Sequence, residues 1–297
     1  MRRILLIILT LLLIAAVPAG GWFGLGWFEA RRAGMLLEDA NSHIQDADAV
    51  MAQMKLDKLG RDSFTSLENI SQAASALQDM KPLLGEAASS VKDAEDDIAA
   101  AAGLPLLGDS YRAYLQKKQE TASVRRQQLD LLASTVDRLD QLYAVGPVVF
   151  NSSQEMDRLL GQLEDSMGKV QSSPQEASAS LQQTAAAFAQ VKQQLDQSYS
   201  QAGFPLLNEL SKTAADNSGL ATLGARLADA AAAGDQAGAQ QIAVQIESKL
   251  MAISTSGDPL DPWWQDQIAP LQQQYAGLQS QMETLDAEAG SLYDSID

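Results

Sequence analysis

The chain has 297 residues, 46% of them hydrophobic but only 5% aromatic, and a formal charge of −17 at neutral pH. That field repels phosphate backbones, which argues against nucleic acid as a partner. The lack of cysteine excludes disulfides, thiol catalysis and cysteine metal sites, and a composition led by Ala, Gln, Leu, Ser and Asp favours helices over strands. The charge is unevenly laid out. Residues 1–32 hold Arg2, Arg3, Arg31 and Arg32 against Glu29, a net of +3. Of the 21 basic and 38 acidic residues, 17 and 37 therefore fall on the remaining 265, a net of −20.

From Ile4 to Phe28 there are 25 positions without a charge. About 20 apolar residues suffice to cross a bilayer core. Trp22, Phe23, Trp27 and Phe28 stand at the far end, where aromatic rings favour the membrane interface. Residues 1–32 therefore read as a membrane anchor with its flanks, the amino terminus inside and the acidic body outside. The rival reading is a signal peptide cut at Val17-Pro18-Ala19, which would release the body after cleavage near Ala19.

Beyond the anchor the pattern becomes amphipathic. Leu37, Ala40, Ile44, Ala47, Met51 and Met54 alternate by 3 and 4, a heptad seam on one helix face. A second helical stretch runs through Phe64, Leu67, Ile70 and Leu77, meets Pro82, which should kink or break it, and resumes through Val91 and Ile98 to Gly103. The next is expected from about Asp109 to Ala144, ended by Gly146-Pro147. Ser152 and Glu155 have capping-box spacing and predict a new start there. Pro174 interrupts that helix, Gly203 ends its successor, Asp216-Asn217-Ser218-Gly219 breaks the following one, and Gly234-Asp235 separates two more. The last helix carries the most regular seam: Ile268, Leu271, Tyr275, Leu278, Met282, Leu285, Ala289 and Leu292.

One stretch occurs twice. Residues 91–107, VKDAEDDIAAAAGLPLL, align without a gap on 191–207, VKQQLDQSYSQAGFPLL. Val, Lys, Asp, Ala, Gly, Pro, Leu and Leu are shared, 8 identities in 17. A fixed offset is the mark of a duplicated supersecondary unit. Both copies read as helical corners, with Gly103 and Gly203 in the left-handed conformation past a last turn, and Pro105 and Pro205 opening the next helix. The expected fold is all-α. A transmembrane helix precedes an elongated antiparallel bundle, coiled-coil or spectrin-like, with an internal duplication of about 100 residues. Its parts are the anchor at 1–32, helical units at 33–152 and 153–257, and a C-terminal helix at 258–297 packed on the bundle.

Chemistry is hard to find. His43 is the sole histidine, so no histidine triad or zinc motif exists, and no catalytic, cofactor-binding or metal-binding residue is assigned. Gly161 to Lys169 fails the phosphate-loop spacing, and the acidic run at Asp93, Glu95, Asp96 and Asp97 lacks the glycine of a calcium loop. Two features remain as partner-binding candidates. Arg112, Lys117, Lys118, Arg125 and Arg126 concentrate positive charge on the third helix, either to pair with acidic neighbours or to dock an anionic partner. Trp263 and Trp264 are adjacent in an aromatic-poor chain, either plugging the end of the bundle or serving as a protein or sugar anchor. The expected function is a non-enzymatic, membrane-anchored extracytoplasmic scaffold. It would contact the bilayer through residues 4–28 and bind another envelope protein or itself. The alternative is a ligand-binding sensor bundle acting through a membrane partner.

Overall fold

A computed structural model describes the backbone of residues 2–54, 59–254 and 260–294, and within them the side chains from Trp27 onward except at 61, 252 and 254. It packs as a helical bundle, and among the described residues there is no strand. Helix α1 spans Arg2–Ala52. A single 3-10 turn at Arg61–Thr65 leads into α2 (Leu67–Ala102), followed by α3 (Asp109–Gly168), α4 (Pro174–Ala202), α5 (Pro205–Ala233), α6 (Gln236–Ser254), α7 (Leu260–Gln267) and α8 (Ala269–Tyr293). No helix among the described residues is long and apolar enough to cross a membrane. The expected anchor at 4–28 lies outside the residues whose side chains are described, apart from Trp27 and Phe28.

The chain folds into two compact units, each assembled from separate stretches. The first comprises Met1–Lys55, Asp79–Val136 and Leu271–Asp297; the second comprises Leu56–Gln78 and Asp137–Pro270. In the first, Leu37 and Ala40 from α1, Ala94 and Ile98 from α2, Leu115 and Ala122 from α3 and Ala289 from α8 form one buried cluster. In the second, α4 lies along α5, and Leu181, Leu220, Ala225, Ile242 and Ile246 close a core of α3, α4, α5 and α6. Residues 100 apart share burial: Leu84 with Thr184, Val91 with Val191, Leu107 with Leu207, Tyr114 with Ala214, Thr121 with Ala221 and Gln128 with Ala228.

The two similar corners differ in backbone. Gly203 is left-handed at φ 64°, and Pro205 opens α5 directly, with Leu206 and Leu207 both in the core. Gly103 is not left-handed, and α3 begins only at Asp109, so Pro105 does not open a helix. Two side chains hold this wider corner. The Glu29 carboxylate accepts the Leu106 N–H at 2.6 Å, and Arg112 Nη2 donates to the Pro105 carbonyl at 2.9 Å. Neither contact has a counterpart at the second corner.

Several expected breaks are absent. Helix α2 is continuous through Pro82, and α3 is continuous through Gly146, Pro147 and Ser152. At Gly146 a Cβ would lie 2.7 Å from Ile70 Cγ2, so glycine there lets α2 approach closely rather than ending α3. Ser152 is buried in mid-helix, and Glu155 pairs with Arg158 instead of capping. Asp216 to Gly219 lie within α5. There Asn217 is buried, Ser218 Oγ donates to the Ala185 carbonyl at 2.9 Å, and Asp216 pairs with Lys249. Tertiary partners thus outweigh the weak local preference of those residues for turns. The tryptophans lie in the short helix α7, and the C-terminal stretch from 258 thus holds two helices instead of the one expected. Pro270 cannot donate to the Asp266 carbonyl, and the helix restarts as α8.

Candidate functional site

The five cations of α3 belong to the first unit, and each is already engaged there. Lys117 Nζ bridges Glu120 at 2.9 Å and Glu288 at 3.0 Å, and Lys118 reaches Asp286 at 3.7 Å. Arg125 contacts Asp48 at 2.5 Å, Arg126 contacts Glu95 at 3.3 Å, and Arg112 holds the first corner as above. The bond to Glu120, then that to Glu288, holds the Lys117 ammonium above its ordinary pKa, and Lys117 in turn holds Glu120 below its own. These cations tie α1, α2 and α8 to α3. Arg126 is exposed and Arg125 the most covered of the four ion-paired cations, and the pairs nearest solvent stabilise the fold only weakly. Beside them Tyr114 packs between Tyr111, edge-to-face at a ring separation of 6.2 Å, and Tyr293, tilted at 5.4 Å. Burial, then the neighbouring tyrosines, pushes the phenols of Tyr111 and Tyr114 up. His43 lies 3.6 Å from Asp97, and among the described residues no group of metal-ligating side chains converges.

Trp263 and Trp264 lie in the second unit and are both half-buried. The Trp263 ring meets Phe204 at 5.4 Å and Trp264 at 6.4 Å. Phe204 comes from the left-handed corner after α4, which swings it towards α7. Trp263, the corner and the middle of α3 enclose a cleft of 840 Å³. Its apolar wall is Val145, Phe204, Pro205, Leu206, Pro262 and Trp263; its polar wall holds Arg138, Glu209, Lys212, Asp216 and Asp266.

Most of that charge is neutralised locally. Glu209 and Lys212 are 2.7 Å apart, and Asp216 pairs with Lys249 at 2.8 Å. Arg138 Nη1 donates to the Gln267 carbonyl at 2.9 Å and to its side-chain oxygen at 3.0 Å, capping the end of α7 with a cation, where the helix dipole favours one. The cleft therefore offers an aromatic floor with paired charges at its rim. Apolar and aromatic walls with a few polar groups at the rim are the usual make-up of a ligand- or peptide-binding cleft.

Of the residues singled out from sequence, Trp263 lines the cleft and Trp264 touches Trp263; the five α3 cations do not line it. Arg138, Lys212 and Asp266 had not been singled out. Each is an ordinary charged residue in a helix, and only the fold brings them together. No family model, characterised protein or solved structure matches the chain.

Proposed function

We propose that this protein is a membrane-anchored helical interaction protein, with its body outside the membrane, that binds a segment of a partner polypeptide in the corner cleft. The partner is another envelope protein or a second copy. The observation that carries this reading is the cleft between Phe204 and Trp263, two of only 16 aromatic side chains (4 Trp, 6 Tyr and 6 Phe) in the chain. Half-buried tryptophan beside an apolar wall is the usual anchor of protein recognition. Val244, Leu250 and Met251, all exposed on α6, are further support. The uncharged run at 4–28 supports the anchor, and the shared burial 100 residues apart supports two copies of one hairpin, each ending in its own corner. With one histidine and no cysteine, the reading assigns no reaction.

A photo-crosslinking side chain at position 263 of the full-length protein, in membranes from its own cells, tests this. The expected outcome is a discrete polypeptide adduct that is absent when the same group stands at exposed position 280. An adduct of small mass only would favour the ligand-binding sensor, a reading that the polar rim of the cleft also supports. Carbonate extraction tests the anchor, and a mature terminus beginning at Gly20 would replace it with a cleaved signal.

A further inference from the structure

We propose that the first corner, Leu104 to Gly108, is a membrane-contact surface that rests at headgroup depth on the bilayer crossed by residues 4–28. This rests on the anchor reading and adds a second, independent contact between body and lipid.

Three observations place the corner there. First, α1 passes without a break from the uncharged run into the first unit. Ala33 is fully buried in that unit five residues after Phe28, a rise of only about 7.5 Å. No linker separates the body from the membrane. Second, Glu29, the first charged residue past the run, accepts the Leu106 N–H at 2.6 Å. The corner is thereby fixed level with the end of the apolar segment.

Third, the two corners expose the same residues differently. In the second, Leu206 and Leu207 are both core. In the first, Leu107 is core, but Leu104, which packs against that core, and Leu106 are only half-buried and Pro105 is exposed, because α3 starts four residues later and the Leu106 amide is held by Glu29. The bundle thus covers Leu106 less completely than Leu206, and part of its side chain is left facing outward. A headgroup region of about 5–8 Å would take it up.

The surroundings suit that depth. Trp27 and Phe28 are each 63% exposed and Tyr293 58%, and the Arg31 guanidinium lies 5.5 Å from the centre of the Trp27 ring. Aromatic rings and snorkelling arginines are the usual furniture of the interface. Arg31, Arg32 and Arg112 are matched near the corner by Glu29, Asp109 and Asp294, so the cations do not stand there as an uncompensated basic patch. Contact therefore comes from apolar and aromatic burial, and it should not require anionic lipid.

Because the chain has no cysteine, a single one introduced at Pro105 can carry a unique fluorophore. Gly108 offers a second position, since a side chain there meets nothing within 4 Å. Gln127, exposed and about 27 Å along α3 from Asp109, is the control. The full-length variants P105C, G108C and Q127C are labelled and reconstituted into vesicles of phosphatidylcholine alone, or of equal parts phosphatidylcholine and phosphatidylglycerol. A lipid with a nitroxide on its headgroup is the quencher. The label at 105 and at 108 should lose most of its emission in both lipids, and that at 127 should keep it. Equal emission from all three in carbonate-resistant vesicles would overturn the contact and leave the anchor standing. Quenching only with phosphatidylglycerol would overturn the apolar basis of the contact. Release of the protein by carbonate would overturn the anchor and the contact with it.

Discussion

Gly103 and Gly203 occupy the same place in a repeated sequence but not the same backbone. At φ 64° an added Cβ strains residue 203, whereas at residue 103 it would meet only carbonyl oxygens at 3.5 Å. G203A should therefore destabilise the protein by about 1–2 kcal/mol, and G103A should be neutral or slightly stabilising, as thermal unfolding of both variants would show. Tyr143 gives a second test. Its buried ring stacks on Phe64 at 5.3 Å, and its hydroxyl is bonded to Ser63 and donates to the Gly60 carbonyl at 3.2 Å. Burial raises its pKa, against the smaller opposing effects of Ser63 and Gly60. A raised folded pKa gives stability that is present below the ordinary tyrosine value of about 10 and is lost as pH climbs through the folded one. Y143F should lower stability at neutral pH by about 1 kcal/mol and flatten the alkaline decline, leaving the share due to Tyr111 and Tyr114.

Helix α8 displays the sequence pattern most faithfully. Ile268, just before it, and Leu271, Leu285 and Ala289 are buried; Tyr275, Leu278, Met282 and Leu292 are half-buried; the polar residues between Leu271 and Leu292 are exposed. L285A should cost about 2–5 kcal/mol and L278A distinctly less, read from denaturant midpoints. One-sided burial of this kind is what a 3–4 alternation encodes, so the seams and the all-helical fold were legible. Ends marked by Pro174, Gly203 and Gly234 were legible too, because proline and left-handed glycine act on the backbone locally. The breaks at Gly146-Pro147 and Asp216–Gly219 were misread. In both places small or polar residues face another helix, and their reason lies in Ile70 or Ala185, far away in sequence. The cleft was half legible for the same cause. Trp263 stood out by rarity, while Arg138, Lys212 and Asp266 acquire their meaning from three separate elements.

At the scale of the molecule, the unit boundaries cut across the order of the chain, and this governs the sequence of events during synthesis. The second unit has all its chain once Pro270 has been added, whereas the first still lacks Leu271–Asp297. Met1–Lys55 and Asp79–Val136, although made earlier, must wait for α8 before their apolar faces are covered. A chain ending at Pro270 should protect Pro174–Ala233 from limited proteolysis and leave Asp79–Val136 open to it. The stretches of the first unit made earlier are thus completed later than the second unit, and their newly made apolar surface needs shelter until Leu271–Asp297 has been synthesised and can dock.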